Sequence, residues 1–184
     1  MMKLLQFLLF FHISIFSIGQ TPGHTTYPDL ESMLRAKTKA AIGNSFPNFV
    51  ASNKDGKINN ESLKGKVVLI NFWFEGCSPC IAEFPALNEL AEKLSSNKDF
   101  RFISFTWNNP ETVQRVIKQY HLRFPVFSVK DDECMRLNQG CGYPTSILLD
   151  KQGKIKYLVA GGITPGKPRD FVMKTLLPAI EKEL

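Results

Sequence analysis

Histidine is scarce in this chain: three residues in 184, with none after His121. Cysteine is limited to four, Cys77, Cys80, Cys134 and Cys141. A structural zinc site needs about four ligands, commonly two close cysteine pairs or a cysteine pair with a histidine pair. Only Cys77 and Cys80 form a close pair; Cys134 and Cys141 are spaced by six residues, and His24 and His121 stand alone. A zinc clip is therefore set aside, and no metal is expected. Long basic runs are also missing. Lys and Arg outnumber Asp and Glu by 23 to 17, yet no five basic residues are consecutive. That pattern gives a mildly basic, solvated surface and no nucleic-acid stripe. There is no internal repeat and no low-complexity tract. With 43% hydrophobic residues the chain can bury a real core, as one domain plus a tail.

No apolar run reaches the ~20 residues that span a bilayer comfortably. The longest, Leu4 to Ile18, follows Lys3 and ends in the small residues of Ser17-Ile18-Gly19. This is the pattern of a secretory signal peptide over residues 1–19, with an uncleaved membrane anchor as the alternative. No cysteine follows the run, which argues against a lipid anchor. All four cysteines then enter an oxidising, extracytoplasmic compartment, such as the periplasm.

Residues 20–41 read as a polar tether leading to a short helix, Leu30 to Ile42. Between Gly43 and Lys66 the Asp55-Gly56 dipeptide separates short apolar segments and predicts a hairpin. Val67 to Phe74 is almost continuously apolar, as in a central strand buried on both faces. From Pro79 the apolar residues recur at threes and fours, giving a helix that Pro85 should kink. Phe100 to Thr106 is a second strand. Asn109 caps a helix over Pro110 to Tyr120, with proline at the first helical position. Val126 to Val129 is a third strand, and Asp131 to Asn138 a short helix ending near Gly140. Pro144 to Leu149 and Lys154 to Val159 flank a turn as a hairpin. A last helix spans Pro168 to Glu183, with Pro178 the candidate point for a kink. In outline this is a βαβα–ββα order after an N-terminal hairpin: an α/β fold whose mixed sheet carries helices on both faces.

The stretch Phe72-Trp73-Phe74-Glu75-Gly76-Cys77-Ser78-Pro79-Cys80 carries the chemistry. A structural staple across so short a loop removes little unfolded-chain entropy. The position says more. A buried strand ends near Phe74 and a helix starts near Cys77. Unpaired backbone N–H groups and the helix dipole stabilise a thiolate there. Cys80 lies one turn inside, shielded, and close enough to attack a mixed disulfide on Cys77. Cys77 is thus the expected nucleophile and Cys80 the resolving thiol, a redox-active disulfide with no cofactor.

The pattern Asn71-Phe72-Trp73-x-x-x-Cys77-x-x-Cys80-x-x-Glu83-x-Pro85 resembles the thioredoxin superfamily, and more closely its extracytoplasmic TlpA/ResA-type thiol–disulfide oxidoreductases. Gly142-Tyr143-Pro144-Thr145, followed by Ile147 to Ile155, resembles that group's second signature. The likeness spans roughly Ile42 to Leu184. It implies a thioredoxin-like domain over 42–184 with Pro144 in cis, packed against the cysteine pair; the alternative is that Pro144 merely starts a strand. It implies that Glu83 is the active-site acid, against the alternative of a solvent-facing helix residue. Asn71 stands where thioredoxins proper carry an aspartate. Glu75 reads as an exposed loop acid. Trp73 reads first as packing that shields the site, and second as a substrate contact. Tyr143 and Pro144 are expected to face the substrate groove.

Cys134 and Cys141 depart from the family's simple pattern. Three arrangements stay open: a Cys134–Cys141 disulfide, Cys141 relaying electrons to the active pair, or two buried free thiols. Gly140 also replaces an apolar residue usual at its position.

The resemblance implies a disulfide reductase for exported proteins, apocytochrome c among them, fed by a membrane electron donor and acting as a monomer. An oxidase or isomerase of the same fold is the alternative. A peroxiredoxin would need Thr or Ser where Phe74 stands. A thioredoxin-like copper chaperone would need a three-residue cysteine spacing and a downstream histidine.

Overall fold

The computed structural model describes residues 29–160 and 167–184. The expected signal segment at 1–19 and the tether up to residue 28 lie outside the described residues.

The central strand β3, Val67–Phe72, is buried at every position. Its neighbours are the parallel strand β4, Phe100–Thr106, and the antiparallel strand β6, Thr145–Leu149. β5, Val126–Ser128, extends the sheet parallel to β4, and β7, Ile155–Ala160, closes the other side antiparallel to β6. The order is β5-β4-β3-β6-β7, a mixed five-stranded sheet. A strand covered on both faces has no solvated side to mark with polar residues, which is why its sequence shows a run instead of alternation.

Two apolar layers fill the two faces. Val67 and Leu69 pack with Trp73 against the helices α3, Ser78–Lys93, and α4, Pro110–Tyr120, and against the C-terminal helical segment. Val68, Ile70 and Phe72 point the other way. There they meet α1, Leu30–Ala41, the hairpin of β1, Val50–Asn53, and β2, Gly56–Asn59, and the helix α5, Asp131–Leu137. The hairpin turns at Asp55-Gly56, with Gly56 at φ 142°. Asn53 Nδ2 fastens it to the Val126 carbonyl at 3.2 Å. A one-turn helix α2, Asn60–Leu63, follows it under a reciprocal Asn59–Ser62 cap; the sequence reading had no helix there.

Asn109 caps α4 as expected, accepting the Thr112 N–H at 2.8 Å. The anticipated kink at Pro85 does not break α3, which runs on to Lys93. The chain end is also helical throughout, with one change of winding. Residues Pro168–Phe171 form α6, Val172–Leu176 a π turn and Leu177–Glu183 α7. Within the π turn the Leu177 N–H reaches back to the Val172 carbonyl, so the expected irregularity precedes Pro178 as an extra-wide turn. Among the described residues no helix is long and apolar enough to cross a membrane.

Candidate active site

The end of β3 feeds directly into the site. After Phe72 the chain turns through Gly76, whose φ of 84° belongs to the left-handed region that glycine occupies without cost. Cys77 follows as the N-cap of α3. Its N–H donates to the Phe74 carbonyl at 3.2 Å, and its Sγ accepts the Cys80 N–H at 3.3 Å. The first-turn N–H groups have no helical partners of their own, so negative charge on this sulfur would be met by them. Pro79 sits in the same turn, where a missing N–H costs nothing.

Cys77 and Cys80 are joined as a disulfide, with Cα atoms 5.3 Å apart. Both are buried, Cys80 more completely, at 1% exposure against 4%. The Tyr143–Pro144 bond is cis. Its loop is tied down by Gly142, whose carbonyl accepts Thr145 Oγ1 at 2.8 Å and Asn138 Nδ2 at 3.1 Å. The Tyr143 ring meets Phe74 edge-on at 5.2 Å, so the proline loop lies against the loop that leads into Cys77.

Glu83 falls on the buried face of α3, together with Cys80, Phe84 and Leu87. It lies three positions after Cys80, which places both on one side of the helix. The solvent-facing alternative is thereby excluded: Glu83 is 6% exposed. Burial disfavours its charged form and pushes the carboxyl up to about 7.

Trp73 is wholly buried. Its indole N–H donates to Ser104 Oγ at 3.1 Å and its ring meets Phe84 edge-on at 5.5 Å. With no surface to offer, it packs under the site; the substrate-contact expectation for Trp73 is corrected. Asn71 donates to Ser146 Oγ across the β3–β6 pair at 3.1 Å. Glu75 is an exposed loop acid, and it pairs with Arg115 of α4.

Of the three arrangements left open for Cys134 and Cys141, the structure holds the third: two separate, buried thiols in place of a Cys134–Cys141 disulfide. Their sulfurs have different neighbours. Cys134 Sγ lies beside Tyr143 Oη, which is buried without a well-formed hydrogen bond. Cys141 Sγ turns to the Gln139 carbonyl at 3.7 Å. Burial pushes the Cys134 thiol up to about 11, partly offset by Tyr143, and also raises Cys141 against the pull of Lys37. Burial raises Tyr143 too, with Cys134 adding to it. These are poor nucleophiles in the folded chain.

Sequence reasoning missed Trp107 and Asn108, which follow β4 at the same sheet edge as Cys77. Asn108 Oδ1 accepts the Glu75 N–H at 2.7 Å and the Thr106 hydroxyl at 2.9 Å. Ser128 Oγ donates to its carbonyl at 2.5 Å. The parallel register of β3 and β4 could have located them, because it carries Thr106 to the level of the active loop.

A cysteine pair at the start of a helix after a central strand, beside a cis-proline loop, defines a thioredoxin-like thiol–disulfide site. The family model described as Redoxin matches residues 41–172. Thiol-disulfide oxidoreductase ResA of Bacillus cereus (strain ATCC 10987 / NRS 248) is 33% identical over 169 residues, covering 91% of this chain and 95% of that protein. The ResA of Bacillus subtilis (strain 168) is 29% identical over 152 residues, 82% of this chain and 83% of that one. A Chlorobium tepidum crystal structure, provisionally named thiol:disulfide interchange protein DsbE, superposes with a TM-score of 0.65 at 26% identity, covering 76% and 97% of the two chains. The chain belongs to the Redoxin family, among the ResA-like thiol–disulfide oxidoreductases.

Proposed function

We propose that this protein reduces disulfides of exported polypeptides outside the cytoplasm, with apocytochrome c among its substrates. The observation that carries the reading is the Cys77–Cys80 disulfide at the N-terminus of α3 with a buried, near-neutral Glu83 one turn further on.

The dithiol form acts first through Cys77. Its thiolate attacks one sulfur of the substrate disulfide, and the other substrate sulfur leaves as a thiolate. Cys80 then attacks Cys77 Sγ, releasing the second substrate thiolate and closing the Cys77–Cys80 disulfide. Two electrons pass to the substrate, and two protons from the dithiol accompany them. Cys80 lacks the cap position, so it needs a base to lose its proton. Glu83, its carboxyl pushed up to about 7 by burial, can take and return a proton near neutral pH. Tyr143 and Pro144 line the groove in which the substrate backbone lies beside the sulfurs, strand against strand. No cofactor is required by this scheme. A membrane-bound donor of electrons restores the dithiol, and the chain acts as a monomer.

The direction is tested by equilibrating the pair against glutathione. A reductase gives a potential of about −270 mV, and insulin is reduced in its presence; a value of about −120 mV assigns the protein as an oxidase instead.

A further inference from the structure

The two active sulfurs are buried in the disulfide form, so a substrate chain that exchanges with Cys77 has to lie across the rim of the site. That rim is aromatic. Trp107 stacks on Phe74 with ring centroids 5.6 Å apart and planes at 25°, and Phe74 in turn meets Tyr143. The Phe74 carbonyl holds the Cys77 N–H, which fixes the row of three rings relative to the nucleophile. The two tryptophans of the chain therefore divide their work: Trp73 is wholly buried, whereas Trp107 is 41% exposed. Trp107 is also held firmly, since Asn108 beside it is clamped to Thr106, Glu75 and Ser128. Beyond Trp107 the rim opens into a cleft of about 730 Å³ between β1 and the start of α5, lined by Val50, Val129, Lys130 and Glu133 among others. Val50 is 60% exposed there. Lys130 faces Asp132 and Glu133 there, and Glu133 is already paired with Arg136, so the cleft is mixed in character and its apolar contact is concentrated on the indole face, Val50 and Val129.

We propose that Trp107 is a specificity-determining residue: it receives an apolar side chain next to the reacting cysteine of a polypeptide disulfide, and the cleft beyond it takes the continuing segment. The inference rests on Cys77 and Cys80 being the reacting pair. It places the discriminating contact on the β4–α4 loop, on the far side of Phe74 from the cis-proline.

The test uses the reduced full chain and two synthetic peptides, each with one intrachain disulfide. They are identical except for Leu or Gly at the positions flanking the cysteines. The wild type is expected to favour the Leu peptide about tenfold in kcat/KM, chiefly through KM. Trp107→Ala reduces that ratio to near one, and Trp107→Phe keeps most of it. Met33→Ala, exposed on α1, leaves the ratio as it was. An equal kcat/KM for the two peptides in the wild type, or an undiminished preference in Trp107→Ala, overturns the proposal. Bis(2-hydroxyethyl) disulfide separates the two levels. If it is reduced while the peptides are not distinguished, only the Trp107 assignment fails. If neither it nor a peptide is reduced, the reading of the cysteine pair fails as well.

Discussion

Asn108 Oδ1 accepts the backbone N–H of Glu75 at 2.7 Å, two residues ahead of Cys77. The same oxygen takes the Thr106 hydroxyl, and the Asn108 N–H returns to Thr106 Oγ1 at 3.2 Å. One buried amide therefore ties the β4–α4 loop to the loop that delivers the nucleophile. Asn108→Ala leaves the Glu75 N–H and the Thr106 hydroxyl without this acceptor. The expected cost is about 1–3 kcal/mol of unfolding free energy. The Glu75 amide should also exchange with solvent faster than other protected amides of the same variant. Uniform exchange across the loop, with no loss of stability, would remove Asn108 from this role.

The raised carboxyl of Glu83 makes stability depend on pH in a defined direction. Its ordinary value is 4.5 and its folded value about 7, so the protonated form suits the fold. The contribution is fully present below pH 4.5 and is lost as pH rises through 7, about 3 kcal/mol in all. Glu133 acts in the opposite sense, because its hydrogen bond from Arg136 holds the carboxyl low. That contribution is lost only on acidification below the ordinary range, outside the window of Glu83. Denaturant titrations of the oxidised protein between pH 5 and 8 should show the wild type weakening on the alkaline side. Glu83→Gln should be flatter over the same range; parallel curves would contradict the burial of a titrating carboxyl.

Much of the fold was legible because its elements carry local signals. The run Val67 to Phe74 announced a two-sided strand, and Asn109-Pro110 announced the start of α4 to the residue. The cysteine pair was legible for the same reason, since strand, turn and helix are consecutive in sequence. What escaped depends on contacts between distant segments. Asn108 and Glu75 are 33 residues apart, and only the parallel β3–β4 register sets them side by side. Trp73 and Trp107 look alike as letters, yet one lies wholly under the sheet edge and the other projects from it. The state of Cys134 and Cys141 turned on which way two side chains point after a tight helix end, and no periodicity encodes that. Near Gly140 the chain leaves α5 through a left-handed Gln139 at φ 62°, which separates the two thiols' surroundings.

Those two thiols should be silent in the native protein. Both are buried, and burial raises both above the usual thiol range. Iodoacetamide added to the native oxidised chain should label neither Cys134 nor Cys141, and should label both after denaturation without reductant. Peptide mapping should find no 134–141 linkage. Recovery of that linked peptide from unreduced material would show that the two sulfurs meet.

The division of labour between the active sulfurs can be read from which one a substrate stays on. Cys77 caps α3 and has the Cys80 N–H aimed at its Sγ, so its thiolate is stabilised by groups that need no rearrangement. Cys80 lies within the first turn, deeper, with Glu83 one turn beyond. Removing the resolving sulfur should therefore stop the reaction halfway. Cys80→Ser is expected to accumulate a mixed disulfide with a peptide substrate on Cys77, visible as an added mass that reductant removes. Cys77→Ser should accumulate little, because the remaining thiol is shielded and lacks the cap. Overall turnover should fall by about two orders of magnitude or more in both variants, since each sulfur completes a step the other cannot. Alkylation of the reduced wild type should be faster at Cys77 than at Cys80 at neutral pH. Trapping on Cys80 instead, with Cys77 the slower to alkylate, would exchange the two roles and leave the helix cap without a part in the chemistry.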